Sequence, residues 1–316
     1  LVGSEMCIRD RAQAIESILN AAPILCSTTT GLDSEIIGRR SFDLLVLDEA
    51  CQTTEPGCWI PLLRSARVIL AGDHCQLPPT VVSQEAARQG FGVSLLERLV
   101  SLYGAMVTRH LDVQYRMNEA IMGFSSREFY EDALIADATV AGHRLCDLPG
   151  VRTELLTEQP VQFIDTAGAS YDEEAEPDGE SRLNPQEATL VARKVHALLQ
   201  AGVLAADIAL IAPYAAQVRR LRELLPVAGL EIDSVDGFQG REKEAVVLSL
   251  VRSNVEGEIG FLADVRRINV ALTRARRKLL VIGDSATLSV LPFYRRLFEY
   301  FEALDAYQTV WAEEMP

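Results

Sequence analysis

Cysteine is scarce and carries no pairing pattern: Cys7, Cys26, Cys51, Cys58, Cys75 and Cys146 form no C-x-x-C pair and no Cys/His cluster at zinc spacing. That argues against a disulfide framework or structural zinc and for reduced thiols in a cytosolic protein. Long apolar runs are missing too. No stretch approaches the ~18 uncharged apolar residues of a membrane-spanning helix, so such a span is excluded. Positive charge is in deficit, with Lys+Arg 30 against Asp+Glu 45 and a net charge of −15. A simple electrostatic nucleic-acid binder would carry a basic excess instead. Histidine is sparse, and His110, His143 and His196 are scattered without ligand spacing, which reads as ordinary core or surface histidine. Trp59 and Phe91 read as core or loop packing rather than base-stacking platforms. There is no repeat at solenoid spacing, and no cluster of acids with a nearby lysine that would suggest a nuclease.

What remains is an ordinary globular chain of 316 residues, 48% hydrophobic, long enough for about two domains of ~150 residues. Its charge is unevenly placed. Asp172, Glu173, Glu174, Glu176, Asp178 and Glu180 form an acidic stretch read as a solvated loop, whereas Arg266, Arg267, Arg274, Arg276, Arg277 and Lys278 crowd a short basic segment.

Aliphatic and β-branched segments alternate with helical patterns, the signature of an α/β protein with parallel sheets. Candidate strands are 24–30, 44–48, 68–72, 161–165, 208–213, 245–251 and 279–283. Asn184-Pro185-Gln186-Glu187 reads as an N-cap, a first-turn proline and a capping-box glutamate opening a helix, with Gly202 as its stop. Two α/β domains joined near residue 108 are expected.

The strand Leu44–Leu47 ends in adjacent carboxylates, Asp48 and Glu49. Such acids can hold Mg²⁺ through water and accept a proton from an attacking water, although Asp-Glu also ends many ordinary strands. A second apolar strand runs into Gly72-Asp73-His74-Cys75-Gln76-Leu77-Pro78-Pro79, where Gln76 offers a neutral amide donor for a terminal phosphate; a Pro-stiffened loop is the alternative. Gln114-Tyr115-Arg116-Met117 sets a guanidinium beside an aromatic, and arginine suits phosphoryl transfer because its planar fork stays charged. Ser234 to Glu242 (SVDGFQGRE) is either a binding turn or a plain left-handed turn. Asn269–Arg276 has helical character and a dense cationic face.

Taken together, Asp48-Glu49-Ala50-x-Gln52, Gly72-Asp73-x-x-Gln76-Leu77-Pro78-Pro79, Gln114–Met117, Val235–Glu242 and Asn269–Ala275 resemble, in order and spacing, motifs II to VI of superfamily 1 helicases. The similarity is to the up-frameshift branch, nearest to its immunoglobulin-mu-binding-protein-like members, and it covers residues 12 to about 303.

The resemblance implies two RecA-like P-loop NTPase domains, with ATP and Mg²⁺ between them and single-stranded DNA or RNA across their tops. The expected bounds are 12–108 and 109–303, with 1–11 a non-native scar and 304–316 a tail. By the same resemblance Asp48 serves the metal, largely through water, and Glu49 activates the attacking water. Gln76 couples the γ-phosphate to closure, and Arg116 and Arg274 are arginine fingers. Gln52, Tyr115, Gln239, Gly240 and Glu242 line the nucleotide site, with Tyr115 near the base and Glu242 near the ribose. Nucleic-acid contacts fall to Ser27, Thr28, Thr29 and Thr30, to Pro78, Pro79 and Thr80, and to Ser234, Val235 and Asp236, mostly through backbone and hydroxyl groups.

The implied activity is ATP-dependent 5′-to-3′ helicase or translocase action by a cytoplasmic or nuclear monomer. The alternative is a nucleotide-gated nucleic-acid or ribonucleoprotein platform that does not unwind. One element of the family pattern is missing: no G-x-x-x-x-G-K-[ST] occurs, the loop whose amides cradle phosphates. The chain is therefore expected to be a C-terminal piece, inactive alone, with a truncated first domain that exposes a hydrophobic sheet edge.

Overall fold

Residues 2–33, 35–176, 179 and 181–314 are described by the computed structural model; Asp178 and Glu180 of the acidic stretch lie outside them. The chain divides into two units, Leu1–Arg109 and His110–Pro316. Among the described residues no helix is long and apolar enough to cross a membrane.

In the first unit, helix α1 (Val2–Ala21) precedes strand β1 (Leu45–Leu47), helix α2 (Glu55–Leu62), strand β2 (Val68–Leu70) and helix α3 (Leu95–Tyr103). Residues 2–11 are thus the first turns of α1. β1 and β2 pair in parallel, Leu45 opposite Val68 and Leu47 opposite Leu70. Leu47, Ala50, Cys58, Leu95 and Leu96 form a small core beneath them. Ser94 caps α3 by accepting from the Glu97 amide at 3.1 Å, which fixes where its apolar face begins. The sheet leaves apolar surface uncovered: Val46 is 58% and Ile69 53% exposed.

The segment 24–30, read from sequence as a strand, is not one. Ile24 is exposed, Ser27 Oγ donates to the Thr28 carbonyl, and Thr28 Oγ1 accepts from the Gly31 amide at 3.1 Å. Hydroxyls that capture nearby backbone groups offer the chain an alternative to a ladder.

The second unit opens with helix α4 (Glu119–Phe129), capped by Asn118. It continues with β3 (Val161–Asp165), α5 (Pro185–Gln200), β4 (Ile208–Ala212), α6 (Ala215–Leu224), β5 (Glu231–Ser234), β6 (Lys243–Ser249), α7 (Val265–Leu272), β7 (Ala275–Gly283), α8 (Pro292–Ala303) and β8 (Tyr307–Thr309). One six-stranded sheet results, in the order β8-β3-β7-β6-β4-β5, and every neighbouring pair is parallel. The α/β class with parallel sheets holds.

Side chains alternate across each strand. Ile164, Leu210, Val247, Leu280 and Ile282 pack with Val191, Val195 and Leu198 of α5 on one face. On the other, Phe163 stacks on Phe298 and Phe301 of α8, with centroids 4.6 and 5.8 Å away.

Two edge strands escaped the sequence reading. β5 (EIDS) is only half-buried, and β8 (YQT) lies within 304–316, the stretch set apart as a tail; Val310 just beyond it is buried. Strands covered on one side need no continuous apolar run, which is why neither stood out. The basic segment is not one helical face either. α7 ends at Leu272, Arg276 and Arg277 begin strand β7, and Lys278 is wholly buried.

Candidate active site

In the first unit the ends of β1 and β2 are bound together. The Ala71 amide donates to the Leu47 carbonyl at 2.9 Å, and the Ala50 amide to the Ala71 carbonyl at 2.8 Å. Gly72 passes so close that a Cβ there would lie 3.1 Å from the Ala50 and Cys51 nitrogens, so only glycine fits without a shift. Asp48 and Glu49 emerge exposed from this junction. Asp48 Oδ1 accepts from the Glu49 amide at 3.0 Å. Glu49 has φ +50°, a left-handed conformation uncommon outside glycine. Its Oε2 accepts from Gln52 Nε2 at 2.7 Å. Burial pushes the neighbouring Cys51 thiol up, so it stays protonated.

Gln76 closes a turn on Asp73. Its amide donates to the Asp73 carbonyl at 3.1 Å, its Nε2 to Asp73 Oδ2 at 2.8 Å, and the Cys75 amide to Asp73 Oδ1 at 2.9 Å. After it Pro78 is half-buried, Pro79 buried and Thr80 exposed.

In the second unit, Gln114 Oε1 accepts from the Arg116 and Met117 amides at 2.8 and 2.7 Å, fixing the turn that presents Tyr115, 66% exposed, and Arg116. Arg116 Nε is ion-paired with Glu242, and its Nη1 donates to the Thr273 carbonyl at 3.2 Å. Glu242 and Glu244 also face Arg276, at 3.8 and 3.1 Å, and Glu244 pairs with Arg277 at 2.7 Å. Buried His143 donates from Nε2 to the Arg276 carbonyl at 2.6 Å, so Nε2 carries the proton; burial holds its pKa below the usual value.

Arg274 is placed differently. It is 3% exposed, with Nε on the Val270 carbonyl at 2.9 Å and Nη2 on Thr273 Oγ1 at 3.1 Å, so its guanidinium caps the end of α7. Gln239 Nε2 is buried without a hydrogen-bond partner among the described residues, and Gly240 turns through φ +73°. Ser234 Oγ accepts from the Gly237 amide at 3.2 Å, Val235 is buried, and exposed Asp236 lies 3.7 Å from Arg267.

Sequence reasoning missed a buried polar cluster at the end of β6. Glu187 does not reach back to its cap. Asn184 Oδ1 does accept from the Glu187 amide, but Glu187 Oε1 accepts from Ser249 Oγ at 2.5 Å and the Val251 amide at 2.9 Å. Gln217 bridges Ser249 and Asn184. These bonds hold Val251 at φ +70°, an outlier for a β-branched residue. Glu173 is no solvated loop acid either: its Oε2 accepts from Arg252 Nε at 2.7 Å and the Ser253 amide at 2.9 Å. An isolated acidic letter in an acidic run gives no signal of such a partner eighty residues away.

Residues 91–286 match a family model described as an AAA domain, and residues 4–84 match a second model of the same description. The chain belongs to the AAA-domain superfamily 1 helicases of the up-frameshift-like branch. Among similar curated proteins, the DNA-binding protein SMUBP-2 of Mesocricetus auratus is 50% identical over 307 residues, 95% of this chain and 31% of the relative. The DNA polymerase alpha-associated DNA helicase A of Schizosaccharomyces pombe is 42% identical over 92% of this chain and 44% of its own length. An uncharacterized ATP-dependent helicase of Methanocaldococcus jannaschii is 38% identical, covering 92% and 43%. The chain thus spans less than half the length of these relatives.

Proposed function

We propose that this chain serves an ATP-dependent helicase or translocase that moves 5′ to 3′ on single-stranded DNA or RNA. The observation that carries the reading is the exposed Asp48–Glu49 pair at the end of a parallel strand, where ligands of such sheets bind, with Glu49 held left-handed and hydrogen-bonded to Gln52. An exposed carboxylate offering only oxygen donors fits a hard cation, so Asp48 would hold Mg²⁺, largely through water. With ATP, that ion would supply neutralisation of phosphate charge.

Glu49 takes the proton of the attacking water, and Gln52 orients its carboxylate. Gln76 senses the terminal phosphate by exchanging its bond to Asp73 for one to phosphate oxygen. Arg116 and Arg274 are the fingers; Arg116 leaves Glu242, and Arg274 must first release the Val270 carbonyl. Tyr115, Gln239, Gly240 and Glu242 complete the nucleotide contacts. The nucleic-acid strip comprises residues 27–30, 78–80 and 234–236, and a monomer in the cytoplasm or nucleus is part of the same proposal. The helicase and DNA-binding names of the relatives support the helicase reading and a nucleic-acid ligand.

The test is nucleic-acid-stimulated ATP hydrolysis by the whole protein. Glu49→Gln should lower turnover by on the order of 10²–10⁴ while nucleotide binding persists; full turnover in that variant overturns the mechanism. Stimulated hydrolysis without strand separation on a duplex would favour the non-unwinding platform.

A further inference from the structure

The turn after β2 also gathers, beside Gln76, a set of metal-ligating groups. Asp73, His74 and Cys75 bring one carboxylate oxygen, one imidazole nitrogen and one thiol sulfur within 4.8 Å of one another, all three side chains half-buried. Consecutive residues seldom converge, because successive side chains diverge in a strand or helix. Here the turn folds them together: the Gln76 amide bonds back to the Asp73 carbonyl, and the Asp73 carboxylate curls over the Cys75 amide.

Thiolate and imidazole select Zn²⁺ over Mg²⁺ or Ca²⁺, and carboxylate is a third acceptable donor. Ligand atoms around tetrahedral zinc sit about 3.5 Å apart, so these side chains need only draw inward by side-chain rotation. Three protein ligands leave a fourth position for water. The hydrogen bonds that Asp73 accepts from the Cys75 amide and Gln76 Nε2 do not by themselves bar a metal, since a carboxylate has about four lone-pair sites.

We propose that Asp73, His74 and Cys75 form a zinc-binding clamp on the turn that carries Gln76. The bound ion fixes the Asp73 carboxylate, and with it the 2.8 Å bond from Gln76 Nε2. Zinc therefore keeps Gln76 Nε2 on Asp73 and not on a phosphate oxygen. The site stands on the geometry of the turn alone; its consequence for turnover rests on the role proposed above for Gln76.

The experiment is a titration of the chelator-stripped 316-residue chain with Co²⁺, followed by displacement with Zn²⁺. One equivalent of Co²⁺ should raise a thiolate-to-cobalt charge-transfer band that Zn²⁺ abolishes. Cys75→Ser should lose the band. His74→Ala should weaken binding by at least about 10–100-fold, the loss usual even for outer partners of a metal site. Both positions are half-buried on a turn, and circular dichroism checks that the variants fold. A band that survives Cys75→Ser would assign the metal to another cysteine and overturn the site, as would the absence of any band in the parent. The clamp has its own readout: Zn²⁺ should slow hydrogen exchange of the amides of residues 74–77, and unchanged exchange in a zinc-loaded chain refutes it. Neither readout involves ATP, so failure here and failure of the helicase reading are separate results.

Discussion

Glu187 offers the sharpest test of the physical reasoning. It is fully buried, and burial, against the opposing bonds from Ser249 and Val251, raises its pKa from an ordinary 4.5 to about 7. Each pH unit is worth about 1.4 kcal/mol, so burying the ionised carboxylate costs about 3 kcal/mol. The sign follows from proton counting. Between pH 4.5 and 7 the folded state binds more protons than the unfolded one, so stability is full below pH 4.5 and is lost as pH rises through 7.

Glu187→Gln removes this dependence. The amide oxygen can still accept from Ser249 Oγ and the Val251 amide. The new Nε2 replaces Oε2, which has no partner among the described residues, so any offset of about 1–3 kcal/mol from an unsatisfied donor is constant with pH. The informative quantity is therefore the variant-minus-parent stability at pH 8 less the same difference at pH 5, expected to be about +2.5 kcal/mol because pH 5 already lies above the unfolded value. Urea unfolding followed by Trp311 fluorescence in a Trp59→Phe background reports the second unit alone, because the chain has two tryptophans and Trp59 lies in the first unit. Parallel pH profiles for parent and variant would refute the assignment.

Lys278 should behave in the opposite sense. Burial lowers its pKa from 10.5 to about 7, so the unfolded state binds the extra proton between those values and stability rises with pH across them. Lys278→Met should stabilise the fold more at pH 6 than at pH 10, by thermal melting; an equal effect at both would exclude a buried neutral amine. Gly202 ends α5 at φ +103°, and a Cβ there would lie 2.2 Å from the Gly150 carbonyl oxygen. Gly202→Ala should therefore cost more than about 1 kcal/mol in urea unfolding, and a neutral result would mean that the loop at Gly150 yields freely. Arg116→Ala and Glu242→Gln should be non-additive in nucleotide affinity if the pair exchanges partners as proposed; additive losses would separate their roles.

Much of the second unit is legible in the chain alone. Central strands covered on both faces write themselves as apolar runs such as Ile208–Ala212 and Leu279–Gly283, and Asn184-Pro185 announces the start of α5. The first strand called from sequence, 24–30, fails because propensity cannot supply a pairing partner. The acidic pair Asp48–Glu49 stands out because charge follows directly on an apolar strand, whereas the environment of Arg274 does not, since the same arginine reads alike in a finger and in a cap.

The sequence by itself determined the α/β class, the family and the order of the helicase motifs, because these depend on local pattern and on spacing along the chain. Only the tertiary structure decided which charges are paired and which are buried. Glu187 left its cap for Ser249 and Val251, Glu173 found Arg252, Lys278 went into the core, and three consecutive residues after Gly72 converged on one point. Such outcomes depend on groups brought together by folding from distant positions, and no window along the chain contains them.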